Sequence, residues 1–388
     1  MNLLVLGAGH IGRQIARWLS ATGDYHVSIA DQSDEALAPL RVQNLDTLRL
    51  DINNGPALEA ALRGRDAVVN ALPFFASIPV ARAAHACGVH YFDLTEDVNA
   101  TQTIAALAKD ANTAFMPQCG LAPGFVGIVA HSLVRGFDRV NQVKMRVGAL
   151  PQYPNNALKY NLTWSVDGLI NEYLHPCDAL RDGELTQLAP MEGLEHLQVD
   201  GVDYEAFNTS GGLGTLCDTL AGKVGSLDYK TLRYPGHLTL MRFLIQDLGL
   251  RDKPETLRTL LQDALPRSLQ DKVVVFVAVD GWKQGHHIQD VFTRTLLSCS
   301  INEHAREQVQ KPAPEQTQEN TVSAIQLATT AGVCTAVDLF REGRLPARGF
   351  IRQESISLQA FLANRFGRVY NAGDIGDTGD TRDTRVMP

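Results

Sequence analysis

A chain of 388 residues, 45% of them apolar, is long enough to bury two cores rather than one. A formal net charge of −8 without any basic cluster excludes a nucleic acid or an anionic membrane as the main partner, and no apolar run is long enough to span a bilayer. Six cysteines stand far apart, at 87, 119, 177, 217, 299 and 334, with no C-x-x-C pair, so reduced thiols, no metal site and a cytoplasmic location are expected.

The chain opens on a strand pattern, Leu3–Leu6, too short and without the basic start of a secretion signal. It stops at Gly7-Ala8-Gly9-His10-Ile11-Gly12 and passes into a helical pattern over 11–19. Glycines at this spacing let a backbone turn sharply and lie close to a pyrophosphate, whose charge the free N–H groups of the helix start would meet. A tight turn alone is the plainer alternative. A second strand, Val27–Ala30, ends in Asp31, about twenty residues past Gly12, where a dinucleotide site needs a carboxylate for the adenosine ribose hydroxyls. Gln32 follows and the next basic residue is Arg41, which leaves a 2′-phosphate repelled and unpaired, so NAD is expected over NADP. Gly7, Gly9, His10, Ile11, Gly12, Asp31 and Gln32 thus form the expected cofactor cradle.

Strands Thr47–Leu50, Ala67–Asn70, Tyr91–Leu94 and Ala114–Pro117 continue the pattern, with helices such as Pro56–Leu62 and Pro79–Cys87 between them. Six strands with right-handed crossovers predict an α/β, Rossmann-type doubly wound parallel sheet whose ligand crevice lies at the strand C-termini. Asp51 and Ile52 close the third strand near the adenine. Asn70, Ala71 and Leu72 close the fourth beside the nicotinamide half, although a turn former ahead of Pro73 would also explain Asn70.

The segment from Gln118 to Phe125, punctuated by glycine and proline, leads into a helix over Val126–Val134 and marks a domain crossover. The expected division is a dinucleotide-binding domain at 1–121, an inserted α/β substrate and dimerisation domain with a mixed or antiparallel sheet at 122–320, a returning helical segment at 321–360 and a disordered tail at 371–388. Within the second domain, Gln142–Ala149 reads as a strand and Trp164–Leu174 as a helix with Asn161 or Thr163 as cap. Asp271–Val279 and Ile288–Ser298 read as antiparallel strands joined through Gly281–Gly285. Asn302–Asn320 reads as an exposed connection and Val322–Leu339 as a buried helix packed on the first domain.

Two stretches carry chemistry. The hydroxyls and glycine amides of Thr209, Ser210 and Gly211 suit a carboxylate or a cofactor amide, as would a flexible surface loop. In Leu227–His237, strand alternation puts Tyr229, Thr231 and Arg233 on one face and Lys230, Leu232 and Tyr234 on the other. The planar fork of Arg233 suits a substrate carboxylate, and an exposed edge strand is the alternative.

The ordered set Gly7–Gly12, Gly120–Gly124, Tyr160–Gly168, Thr209–Gly212 and Tyr229–His237 resembles the saccharopine dehydrogenase family over roughly residues 1–345, and within it the NAD-dependent lysine 6-dehydrogenases. The resemblance implies a homodimer acting on a small amino-acid substrate, with Tyr160, Thr209, Ser210, Gly211 and Arg233 around that substrate. Saccharopine reductases carry an arginine in the loop aligned with Asn208–Gly212, where this chain has Thr-Ser-Gly-Gly; a dicarboxylate would lose that contact. The expected reaction is oxidation of an amino-acid amine, lysine first: hydride passes to NAD, an imine forms, and water releases an aldehyde and ammonia. Hydride leaves only a neutral amine, so a base must strip an ammonium whose ordinary pKa is ~10.4. Asp93 and Lys230 are the nominated catalytic groups. An NAD(P)H-dependent imine reductase is the second reading, and an NAD-binding sensor without chemistry the third.

Overall fold

The computed structural model describes residues 1–300 and 321–371. The expected connection at 302–320 and the expected tail beyond Asn371 lie outside the described residues. Strands β1 (Asn2–Leu6), β2 (His26–Asp31), β3 (Asp46–Arg49), β4 (Ala67–Asn70), β5 (His90–Asp93) and β6 (Ala114–Met116) run parallel in the order β6-β5-β4-β1-β2-β3. This is the expected doubly wound sheet. Leu3 and Val5 enter one core cluster while Leu4 and Leu6 enter another, because alternate side chains of a central strand meet helices on opposite faces. The chain leaves β1 toward β2 on one side and returns to β4 on the other, so the crevice opens between β1 and β4, where a doubly wound sheet holds its ligand.

The second sheet is built from β7 (Arg139–Pro151), β8 (Cys177–Arg181), β9 (Glu184–Leu188), β10 (Glu195–Val199), β11 (Val202–Asn208), β12 (Val224–Arg233), β13 (Asp271–Lys283) and β14 (His286–Leu297). Its order is β10-β11-β12-β7-β13-β14, with β8 and β9 branching from β12. It is mixed, since β12 runs parallel to β7 and the other pairs are antiparallel. Val273, Val275, Val277 and Val279 of β13 join the same core as Leu3 and Val5, so the two sheets share one apolar layer.

Short strands β15 (Cys299–Ser300) and β16 (Thr321–Val322) pair ahead of the helix Ala324–Arg341, which packs on the helix His10–Ala21 and on β13. β17 (Gly349–Phe350) then lies parallel to β6 at the edge of the first sheet. The C-terminal part therefore returns to the first domain by a strand as well as by the expected helix.

Two local expectations are corrected. The helix expected from Trp164 starts at Val166, with Ser165 as its cap, accepting from the Gly168 N–H at 3.2 Å; Asn161 instead accepts from Asn156 Nδ2 at 3.0 Å. The β13–β14 hairpin turns on Gln284-Gly285 alone, both with positive φ, 52° and 80°. Gly281, Trp282 and Lys283 belong to the strand, because a two-residue turn of this hand matches strand twist better than a long loop.

Candidate active site

The glycine turn is held by close packing. Gly7, at φ 99°, donates its N–H to the Ala30 carbonyl at 2.8 Å. A Cβ on Gly12 would lie 1.9 Å from the Gly7 carbonyl oxygen, so only glycine lets the helix start this near the strand. At Gly9 the reverse holds, since a Cβ there would meet no atom within 4 Å. The helix His10–Ala21 begins at Gly9 with no side-chain cap and no acidic residue in its first turn. Uncapped N–H groups around an open space are what a pyrophosphate needs, so these residues fit a dinucleotide.

Around that turn, Asp31 accepts from the Ala8 N–H at 2.7 Å and from the Ser33 N–H at 2.8 Å, which ties the end of β2 to the glycine loop. Gln32 and His10 are exposed, and Ile11 and Ile52 are half-buried. Partial desolvation of this exposed residue, with the charges of Arg13 and Arg267, lowers the His10 pKa. Asp51 is exposed and turns on its own Asn53, accepting its N–H and Nδ2 at 2.9 Å. Asn70 Oδ1 accepts from the Leu72 N–H at 3.2 Å, while Ala71 and Leu72 form the wall nearest Gly7. Folding also gathers cations that linear distance had placed far off. Arg41 and Arg49 both pair with Asp34, at 2.9 and 3.2 Å, just past the end of β2, and Arg49 stands beside Asp31 in register.

The two nominated catalytic groups are in other settings. Asp93 is fully buried and accepts from Tyr91 Oη at 2.7 Å, the Gln118 N–H at 2.9 Å and the Thr95 N–H at 3.0 Å. Burial still raises its pKa to about 6 against those donors. It ties β5 to the loop after β6 and is saturated with protein donors. Lys230 points away from the cleft face of β12: its ammonium bonds the Gly193 carbonyl at 2.6 Å and Glu195 at 2.9 Å, in an ionic cluster with Arg146, Asp228 and Arg181. Residues 230 and 233 emerge on opposite faces of one strand, so Lys230 and Arg233 do not share a pocket.

The cleft face carries the polar cluster. Arg233 is 2% exposed; its guanidinium lies 5.0 Å from the Tyr160 ring centroid, and Nε donates to Tyr173 Oη at 3.0 Å. That hydroxyl in turn meets His237 Nε2 at 3.1 Å, while His237 Nδ1 lies 2.9 Å from the Leu158 carbonyl. A carbonyl only accepts, so Nδ1 carries the proton, Nε2 accepts, and Tyr173 donates to it. Burial and the Arg233 charge push the His237 pKa down to about 3, which keeps the ring neutral. Tyr160 belongs to the core of the second domain and accepts from Trp164 Nε1 at 2.9 Å.

The loop Thr209–Gly212 closes this cluster against the first domain. Ser210 donates its N–H to the Glu172 carbonyl at 3.0 Å and its hydroxyl to the Pro176 carbonyl at 2.9 Å. The Thr209 hydroxyl is buried and unpartnered among the described residues. A Cβ on Gly211 would fall 2.6 Å from the Glu96 carbonyl oxygen, so the loop lies directly on the turn after β5. Thr209, Ser210 and Gly211 thus lie between the end of the Glu172 helix and the turn after β5, while Tyr160 and Arg233 meet each other directly.

Glu96 and Glu172 were missed. Burial raises the Glu96 pKa to about 7, with the Asp97 and Asp93 charges adding to it, and the Glu172 pKa to about 8, with Arg233 opposing that shift and Glu96 adding to it. A signal for Glu172 does exist in the sequence. It follows Leu169 by three residues on a helix whose Leu169, Ile170 and Tyr173 are all buried, and a carboxyl on such a face needs a reason. Among the described residues no group of three or more His, Cys, Asp or Glu could hold a metal, and no helix is long and apolar enough to cross a membrane.

Comparison with known proteins adds sequence and fold relations. Residues 3–116 match the saccharopine dehydrogenase NADP-binding domain and residues 120–366 the saccharopine dehydrogenase C-terminal domain. A saccharopine dehydrogenase [NADP(+), L-glutamate-forming] of Pyricularia oryzae is 23% identical over 280 residues, 68% of this chain and 61% of that protein. The mitochondrial alpha-aminoadipic semialdehyde synthase of Rattus norvegicus is 21% identical over 79% of this chain and 34% of its own length, so the chain spans only part of these relatives. Apo saccharopine dehydrogenase (L-Glu forming) from Saccharomyces cerevisiae shares the fold at a TM-score of 0.72 and 16% identity, covering 95% of this chain and 96% of that one. The homospermidine synthase of Legionella pneumophila in complex with NAD follows at 0.64 and 13%, over 98% of this chain and 94% of its own.

Proposed function

Since the chain belongs to the saccharopine dehydrogenase family, we propose that it is a nicotinamide-dinucleotide-dependent oxidoreductase acting on the CH–NH bond of an amino acid, with oxidative deamination of lysine at its 6-amino group as the leading reaction. One observation carries this reading: Arg233 is buried at the cleft, makes no ion pair with any described residue, and leaves Nη2 without a described partner. A guanidinium kept so is matched to a carboxylate brought by substrate.

Gly7, Gly9 and Gly12 with the first turn of the helix His10–Ala21 would hold the pyrophosphate, Asp31 the ribose, and Asn70 to Leu72 the side toward nicotinamide. The bound dinucleotide supplies the hydride acceptor. The chain's own residues do the rest. Arg233, kept charged among Tyr160, Tyr173 and Glu172, anchors the substrate carboxylate. Glu96, at the crevice edge after β5 and with its pKa raised to about 7, takes the ammonium proton so that the neutral amine can react. Asp93 and Tyr91 hold the turn that carries Glu96. NAD remains the favoured cofactor because the end of β2 is carboxylate-bearing and Arg41 and Arg49 are already engaged by Asp34. Homodimer formation and a cytoplasmic location, the latter resting on six scattered cysteines without a C-x-x-C pair, belong to the same reading.

A second reading has its own support, since the first relative named above is a saccharopine dehydrogenase. In it the site reduces an imine formed from an amine and an oxo acid. The deciding measurement is absorbance of reduced cofactor at pH 9 with lysine, ornithine and saccharopine, each with NAD and with NADP. A rise with lysine and NAD, independent of added oxo acid, is expected. Silence from all three amines in protein shown to bind cofactor would overturn amine oxidation.

A further inference from the structure

Two ionisable groups in the cleft lack the partners that buried groups of this kind require. The Glu172 carboxyl is on a residue only 8% exposed, and no hydrogen bond or ion pair from a described residue reaches it. Arg233 spends Nε on Tyr173 and Nη1 on the Leu232 carbonyl and pairs with no described carboxylate. The two influence each other's ionisation, yet no ion pair joins the carboxyl to the guanidinium. Position adds to the cost. Glu172 is in the last turn of the helix Val166–Leu174, where the helix dipole opposes a carboxylate. Its backbone carbonyl takes the Ser210 N–H, which brings the loop with the unpartnered Thr209 hydroxyl against it. Buried ionisable groups without partners are disfavoured, and a zwitterionic ligand supplies each of the two with a partner of opposite sign.

We propose that Glu172 binds the α-ammonium of the substrate, opposite Arg233 on the α-carboxylate, so that the pair reads the zwitterionic head of an α-amino acid and directs its side chain toward Glu96. This assignment rests on the amine-oxidation reading and narrows it. An ω-amino acid without an α-amine would fill half of the pair and leave the Glu172 carboxyl without a partner.

The test uses the full chain loaded with NADH, which binds without turnover, and two probes of equal length: L-lysine and 6-aminohexanoate, which lacks only the α-amine. Calorimetry on wild type should give L-lysine at least about tenfold tighter binding, the effect of one charge-assisted hydrogen bond. Glu172→Gln should bring the two probes within about threefold, chiefly by weakening lysine, while 6-aminohexanoate binding reports an intact fold. Glu172→Asp should retain part of the preference. Equal affinities in wild type, no binding of L-lysine, or a preference that survives Glu172→Gln would each overturn the assignment. Reduced-cofactor formation from lysine and NAD is read separately. Selective binding without turnover would sink the oxidation reading and keep the head-group site; turnover with an unaltered preference in Glu172→Gln would do the opposite.

Discussion

At the scale of single residues, burial and bonding separate groups that look alike in sequence. Asp93 and Glu172 are both buried carboxyls, yet Asp93 receives three protein donors and Glu172 none from described residues. Asp93→Ala would leave two backbone N–H groups and a tyrosine hydroxyl without an acceptor, at a cost of about 3 kcal/mol in urea unfolding. A loss under about 1 kcal/mol would show that water or a shift of the loop replaces it. Its folded pKa of about 6 lies above the ordinary carboxylate value. Between those two values the folded chain binds the extra proton, so this group makes stability fall as pH rises through that window and leaves it level above. Asp93→Asn should flatten that slope while the pH profile of kcat stays in place, because the proposed proton acceptor is Glu96. A profile that moves with Asp93→Asn would return Asp93 to the role of base.

At the scale of elements, the first strand, turn and helix form a unit in which two glycines serve opposite ends. Gly12 is required by the protein, because its Cβ would strike the Gly7 carbonyl; Gly9 faces open space and is left small for something else. Gly12→Ala should therefore destabilise the fold by about 2 kcal/mol or more in thermal unfolding. Gly9→Ala, at an ordinary φ of −70°, should melt with wild type but bind NAD at least about tenfold more weakly. Unchanged NAD affinity in Gly9→Ala would mean that the diphosphate lies elsewhere. Strands and helices of this domain were legible because their signals are local: apolar runs of strand length, glycine at the turn, a second strand ending in an acid. The start of the helix Val166–Leu174 was less so, since Asn161, Thr163 and Ser165 are all competent caps and only the path of the chain selects Ser165.

At the scale of the whole molecule, the ends of the described chain are tied together over one buried carboxylate. Asp338, on the helix Ala324–Arg341, accepts from Tyr25 Oη at 2.7 Å, Asn364 Nδ2 at 2.9 Å and Arg365 Nε at 3.0 Å, and Arg365 reaches Asp24 at 2.7 Å. Burial alone would raise the Asp338 pKa, but these donors and the Arg365 charge outweigh it and hold the pKa below the ordinary value. Its contribution is then complete above the unfolded pKa and lost as pH falls through the folded one. Asp338→Ala should cost about 3–5 kcal/mol at neutral pH, because Arg365 and Tyr25 lose a shared buried partner. The deficit against wild type should shrink toward pH 3. A deficit that is equal at both pH values would show that packing, not charge, holds the C-terminal segment in place.

By itself the sequence determined the parallel domain, the glycine turn, the change of pattern near Gly120 and the face of β12 that carries Arg233, because each depends on neighbours within a few residues. Alternation alone separates Lys230 from Arg233, although it does not say which face meets the cleft. The tertiary structure decided that question, gathered Arg41 and Arg49 on Asp34, and brought Glu96 of the first domain near Glu172 of the second. These outcomes depend on which distant groups exclude water and which charges are left facing one another, and no local spacing encodes that.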